Sequence, residues 1–161
     1  MDYESLVRDQ KHASFLSRFI QAKIKDGYHL AGCEVPFNHF GDRGVIDVVL
    51  RCDDPLVHKA VWWICEIKPA LYDIGDTIRQ VRRAEQYFCQ ARPDMNKPGW
   101  ENEYRFVLVI DAQMENFQDM DKYRDLFQGI EVVYFNQNPE QIQQIKILDE
   151  IQQAISMIQR S

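Results

Sequence analysis

The chain has 161 residues, the length of one compact domain, so residues 1–161 read as a single unit and a two-domain enzyme with a separate cofactor domain is not expected. Hydrophobic residues make up 45% and charged residues 27%, with 7 Gly and 6 Pro, which excludes a disordered or collagen-like chain. Against 19 Lys and Arg stand 25 Asp and Glu, a net charge of −6, which excludes a polycation that coats nucleic acid; any such contact must use a local patch.

No apolar run approaches the ~18 residues of a membrane span. The start, Met1-Asp2-Tyr3-Glu4, lacks a basic and then apolar signal region, so a cytoplasmic protein away from membranes is expected. Cys33, Cys52, Cys65 and Cys89 lie 13 to 24 residues apart with no CxxC pair, which argues against a zinc ribbon or cluster. Cys33, Cys52 and Cys65 fall in apolar, strand-like segments and are expected to pack as small hydrophobes.

In chain order, Leu6, Val7, Phe15, Leu16, Phe19, Ile20 and Ile24 form a helical stripe over residues 4–25 that stops at Asp26-Gly27. Extended runs rich in Val, Ile and Trp follow over 29–37, 43–51 and 59–68, separated by turn residues, and predict an antiparallel meander. Ile74, Ile78, Val81, Ala84 and Phe88 predict a second helix over 73–90, closed by Arg92-Pro93. An exposed loop over 93–102 precedes the nearly continuous apolar run 104–110, which suits a strand buried on both faces. A short helix over 118–127, a strand over 130–135 and a last helix opened by Asn138-Pro139 complete the order αβββαβαβα. That order predicts an α/β fold with a mixed central sheet flanked by helices. The apolar stripe of the last, Gln-rich helix can cover the sheet or pair with a second copy in a homodimer.

Ionised groups inside apolar strands are costly unless a partner or metal compensates them. Gly44-Val45-Ile46-Asp47-Val48-Val49-Leu50 places one carboxylate in such a run, and Val61-Trp62-Trp63-Ile64-Cys65-Glu66-Ile67-Lys68 ends in a carboxylate and an ammonium two residues apart, hence on one face. If the two strands are neighbours, Asp47 lies beside Glu66, a paired-carboxylate site for a hard divalent cation such as magnesium, with Lys68 at its edge. There the ammonium can orient a water and stabilise developing phosphate charge. An exposed edge-strand ion pair is the competing structural reading, and the flanking apolar runs weigh against it.

Gly44-Val45-Ile46-Asp47, Glu66-Ile67-Lys68 and Gln80 on the next helix, with the αβββαβ order over about residues 4–110, resemble the PD-(D/E)XK nuclease superfamily, which includes restriction endonucleases, archaeal Holliday-junction resolvases and RecB-type nuclease domains. The resemblance implies a restriction-endonuclease-like αβββαβ core, here with a further αβα extension. It also implies a magnesium-dependent deoxyribonuclease, with manganese as a substitute metal. Asp47, Glu66 and the Ile67 carbonyl would bind the metal, Lys68 would position the nucleophilic water and Gln80 would support the site. Another acidic residue, from helix one or strand one in several branches, would be Glu4 or Glu34. Ile46 stands in place of Pro, and Ala84 stands where RecB-like members carry Tyr.

Arg79, Arg82 and Arg83 lie on faces of the second helix left free by its apolar stripe and suit phosphate contact; the alternative is a solvated face paired with Asp76 and Glu85. No nucleotide-binding Gly-rich motif, calcium loop or HExxH motif occurs, so no nucleotide cofactor is expected. His12, His29, His39 and His58 are scattered and read as surface or core residues, with His39, in the turn before strand two, the one to watch. DNA is therefore the expected partner and its endonucleolytic hydrolysis the expected reaction. The competing expectation is a catalytically silent nuclease-like fold that binds nucleic acid or protein.

Overall fold

A computed structural model of the chain describes residues 3–39, 41–70, 73–91, 95–114, 117–136 and 139–160. The element order is α1 (Tyr3–Lys25), β1 (His29–His39), β2 (Asp42–Asp54), β3 (Lys59–Lys68), α2 (Ile74–Ala91), β4 (Glu101–Asp111), a 3-10 helix (Phe117–Phe127), β5 (Glu131–Phe135) and α3 (Pro139–Arg160). The five strands form one mixed sheet in sequential order. β1, β2 and β3 are the antiparallel meander, and β4 and β5 add in parallel beyond β3.

Strand alternation sorts the core into two layers. Trp62 and Ile64 of β3 and Phe106, Leu108 and Ile110 of β4 meet Val81, Ala84 and Phe88 of α2. Trp63, Cys65 and Ile67, with Val107 and Val109, meet Phe15, Leu16 and Phe19 of α1. Each large apolar side chain buried in this way contributes about 1.5–3 kcal/mol. The two helices thus cover opposite faces and fix β3 between them.

Helix ends follow local chemistry. Gly27, at φ 97°, takes the left-handed conformation after α1, and the amides of Gly27 and Tyr28 donate to the carbonyls of Ile24 and Lys23, both at 3.0 Å. Asp73 caps α2, its carboxylate accepting from the Asp76 amide at 3.0 Å.

Two expectations are revised, and one left open is narrowed. Cys33 is exposed on the edge strand β1 and Cys52 is half-buried, so of the three cysteines assigned to packing only Cys65 is fully buried. Residues 95–100 are tied down, because Asn102 accepts from Trp62 Nε1 and the Lys97 amide, both at 2.9 Å, while the Lys97 ammonium sits 3.6 Å over the Trp100 ring. Residues 92–94, in the same predicted loop, lie outside the described residues. Ile147, Ile151, Ile155 and Ile158 of α3 are about half or more exposed, so these four members of its apolar stripe do not cover the sheet.

Candidate active site

The site forms where the β2–β3 ladder splits. Pairing runs from Asp54↔Lys59 to Val48↔Cys65 and stops there, with Asp47 and Glu66 next in register. Side-chain alternation fails at the same level. Val48 and Leu50 face α1 and Val49 faces α2, yet Ile46 joins Val49 on the α2 side. β2 therefore twists over between Ile46 and Val48, and Asp47 sits at the twist. On the neighbouring strand, Cys33↔Val48 and Val35↔Ile46 place Glu34 level with Asp47, and Glu34 has φ 49°. A non-glycine residue held there costs of order 1–3 kcal/mol, a strain often concentrated at functional sites.

The split leaves backbone groups to satisfy, and Asp47 satisfies one. Its Oδ2 accepts from the Ile67 amide at 2.7 Å. Because a strand residue's N–H and C=O point to the same side, the Ile67 carbonyl opens toward the same gap. Asp47 Oδ1 lies 3.4 Å from His12 Nε2. On the adjoining position of β3, Lys68 Nζ stands 3.7 Å from Glu66 Oε1.

The electrostatics follow from this crowding. Burial, and then the neighbouring Asp47 charge, push the Glu66 carboxyl up to about 8, against the opposing pull of Lys68. His12 is raised above its ordinary value chiefly by its hydrogen bond to Asp47, with burial and Lys68 opposing. The cluster holds two carboxyl groups that repel each other when both are ionised, one ammonium and an imidazole that favours its proton. Bringing two carboxylates together under cover is costly unless a cation offsets them.

His12 joins the site although it reads as a scattered histidine in the sequence. The signal was present: positions 12, 15, 16 and 19 share one helical face, and Phe15, Leu16 and Phe19 are its buried members. His12 therefore faces inward, and the sheet beneath it is the split between β2 and β3. His39, the histidine singled out instead, ends β1, and its side chain lies outside the described residues.

Gln80 lies on the inner flank of α2. Its Nε2 donates to Asp76 at 3.3 Å, and its Oε1 is buried without a hydrogen-bond partner. Glu34 is exposed. Glu4 falls in the first turns of α1, with its side chain outside the described residues. The arginines differ in their partners. Arg79 pairs with Asp76 at 3.6 Å, whereas Arg82 pairs with Glu85 at 3.3 Å and donates to the Gln128 carbonyl on the connection to β5. Arg83 is half-buried on the opposite flank from Arg82.

The donor set suits magnesium: two carboxylates and the Ile67 carbonyl are hard oxygens, and this ion keeps much of its shell as water. Among the described residues no group of three or more His, Cys, Asp or Glu side chains is arranged to cage an ion, so an ion here would rest on two carboxylates and backbone. No described helix is long and apolar enough to cross a membrane. No family model, curated protein or solved structure matches the chain.

Proposed function

We propose that the chain is a metal-dependent DNA endonuclease of the PD-(D/E)XK type, with a restriction-endonuclease-like core and its site at Asp47, Glu66 and Lys68. The observation that carries this reading is the convergence of Asp47 and Glu66 at the split ladder, with the Ile67 backbone between them and Lys68 alongside. Helices α1 and α2 on opposite faces of a β1–β2–β3–β4 sheet support it at the level of the fold.

In this reading Asp47, Glu66 and the Ile67 carbonyl hold magnesium or manganese. The ion, when bound, supplies positive charge at the scissile phosphate and makes a nearby water more acidic. Lys68 orients the attacking water and stabilises charge developing on phosphorus-bound oxygens, as the water oxygen bonds to phosphorus and one ester P–O bond breaks. His12 fixes the Asp47 carboxylate through Oδ1, as the Ile67 amide does through Oδ2. Gln80, whose buried Oε1 has no hydrogen-bond partner, would support the site from α2.

The test is a cleavage panel on protein stripped of metal, with junction, flap, single-stranded and linear duplex DNA. Magnesium and manganese should support cutting, and calcium should not, because it takes more ligands at longer distances and positions the water poorly. Equal cutting in chelator or calcium would overturn the mechanism. DNA binding without cutting in any metal would instead leave a nuclease-like fold that serves as a binding module.

A further inference from the structure

A groove of about 740 Å³ opens beside the site, between the far end of the β1–β2 hairpin and α2. Tyr87, Val45, Pro36, Asn38 and Arg43 are among the residues that line it. The groove depends on a specific packing arrangement. Phe37 pairs across the strands with Gly44, and a methyl group at Gly44 would come within 2.4 Å of the Phe37 ring, so only glycine lets that ring lie over the backbone. Phe37 in turn stacks on Tyr87 at 5.2 Å and 29°, which holds the tyrosine ring at the groove's edge.

Position ties the groove to the split ladder. Val45 precedes Asp47 by two residues, about 7 Å along the strand. On α2, Asp76, Gln80, Arg83 and Tyr87 recur at helical spacing along one flank, so a path from Gln80 to the groove passes Arg83. An aromatic ring, an exposed valine and a guanidinium form a surface for a base face and its phosphate. A base within a duplex has both faces covered by its neighbours, whereas an unpaired base offers one for stacking. With a net charge of −6, and Arg79 and Arg82 engaged with Asp76 and Glu85, the chain has little general attraction for duplex backbone.

We infer that the Tyr87–Val45–Arg43 groove binds an unpaired nucleotide of the substrate strand, so that the DNA cut at Asp47 and Glu66 is single-stranded or carries an unpaired segment there. The inference rests on the nuclease reading for the cutting, but its binding half can be tested without cleavage. Binding is measured by fluorescence anisotropy in chelator on an oligo-dT strand and on a blunt duplex. Cleavage of a flap substrate is followed in parallel with magnesium. The variants are Val45→Glu and Arg43→Ala, both at exposed strand positions.

The wild type should bind the single strand at least ~10-fold more tightly than the duplex, and each variant should lose about tenfold on the single strand alone. Arg43→Ala should also flatten the log-log salt dependence by about one. Unchanged single-strand affinity in both variants, with wild-type cutting intact, would overturn the groove and leave the nuclease reading standing. Weakened single-strand binding in the variants without wild-type cutting in any metal would keep the groove and sink the nuclease reading. Tighter binding to duplex than to single strand would overturn the inference outright.

Discussion

Glu66 is the side chain on which the site's chemistry turns. Its carboxyl is pushed up to about 8, so in the metal-free protein the proton stays on far above the ordinary range. A carboxyl raised by folding contributes stability that is fully present below its unfolded value, near 4.3, and is lost as pH rises through about 8. Glu66→Gln removes that dependence. In chelator, the advantage of Glu66→Gln over wild type should therefore grow by on the order of 3 kcal/mol between pH 5.5 and 8.5, read by denaturant unfolding. A constant difference would mean that Glu66 ionises freely. His12 makes a second test at this scale. Because it holds Asp47 Oδ1, His12→Ala should slow cleavage about 10–100-fold while the protein stays folded, as loss of a ligand-orienting partner does. Asp47, Glu66 and Lys68 were legible as residues because charge inside an apolar run is itself a signal. The imidazole beside them was not singled out, because the strand it meets is 35 residues away and only the fold brings the two together.

The elements were largely legible and their local distortions were not. Periodicity located the two covering helices, α1 and α2, and the meander within a few residues, since a buried stripe and a buried strand each leave a regular pattern. The twist at Asp47 leaves none, because Ile46, Val48, Val49 and Leu50 are all apolar and any assignment of faces fits them. The arginines on α2 show the same limit: helical spacing says which residues share a flank but not what lies opposite. Arg82 meets the Gln128 carbonyl, so it clamps α2 to the connection before β5. Arg82→Ala should therefore lower stability by about 1 kcal/mol and leave the salt dependence of DNA binding unchanged, whereas Arg83→Ala should flatten that dependence by about one. Equal flattening by both would show that the two guanidiniums reach DNA alike. At the helix end, Gly27→Ala should cost about 1 kcal/mol, because the left-handed backbone at φ 97° strains any side chain. Unchanged unfolding would show that α1 ends by other means.

At the scale of the whole molecule, composition and element order were enough to predict a mixed α/β sheet, and the two-layer core follows from strands whose alternate residues are apolar on both faces. What one sheet and two covering helices achieve is the convergence of α1, β2 and β3 on a single gap. Metal binding there needs Glu66 ionised, so it should release a proton and strengthen with pH. Millimolar magnesium should raise the unfolding temperature more at pH 8 than at pH 6, and not at all in Asp47→Asn. Equal stabilisation of that variant would place the ion elsewhere. The most direct measurement is the rate of magnesium-dependent cleavage of a flap substrate by wild type and by Asp47→Ala, Glu66→Ala and Lys68→Ala, each first shown to be folded by circular dichroism. Each variant should cut at least ~100-fold more slowly than wild type, since metal binding and water positioning contribute at least that order of rate. Cutting by Glu66→Ala at the wild-type rate would contradict the account.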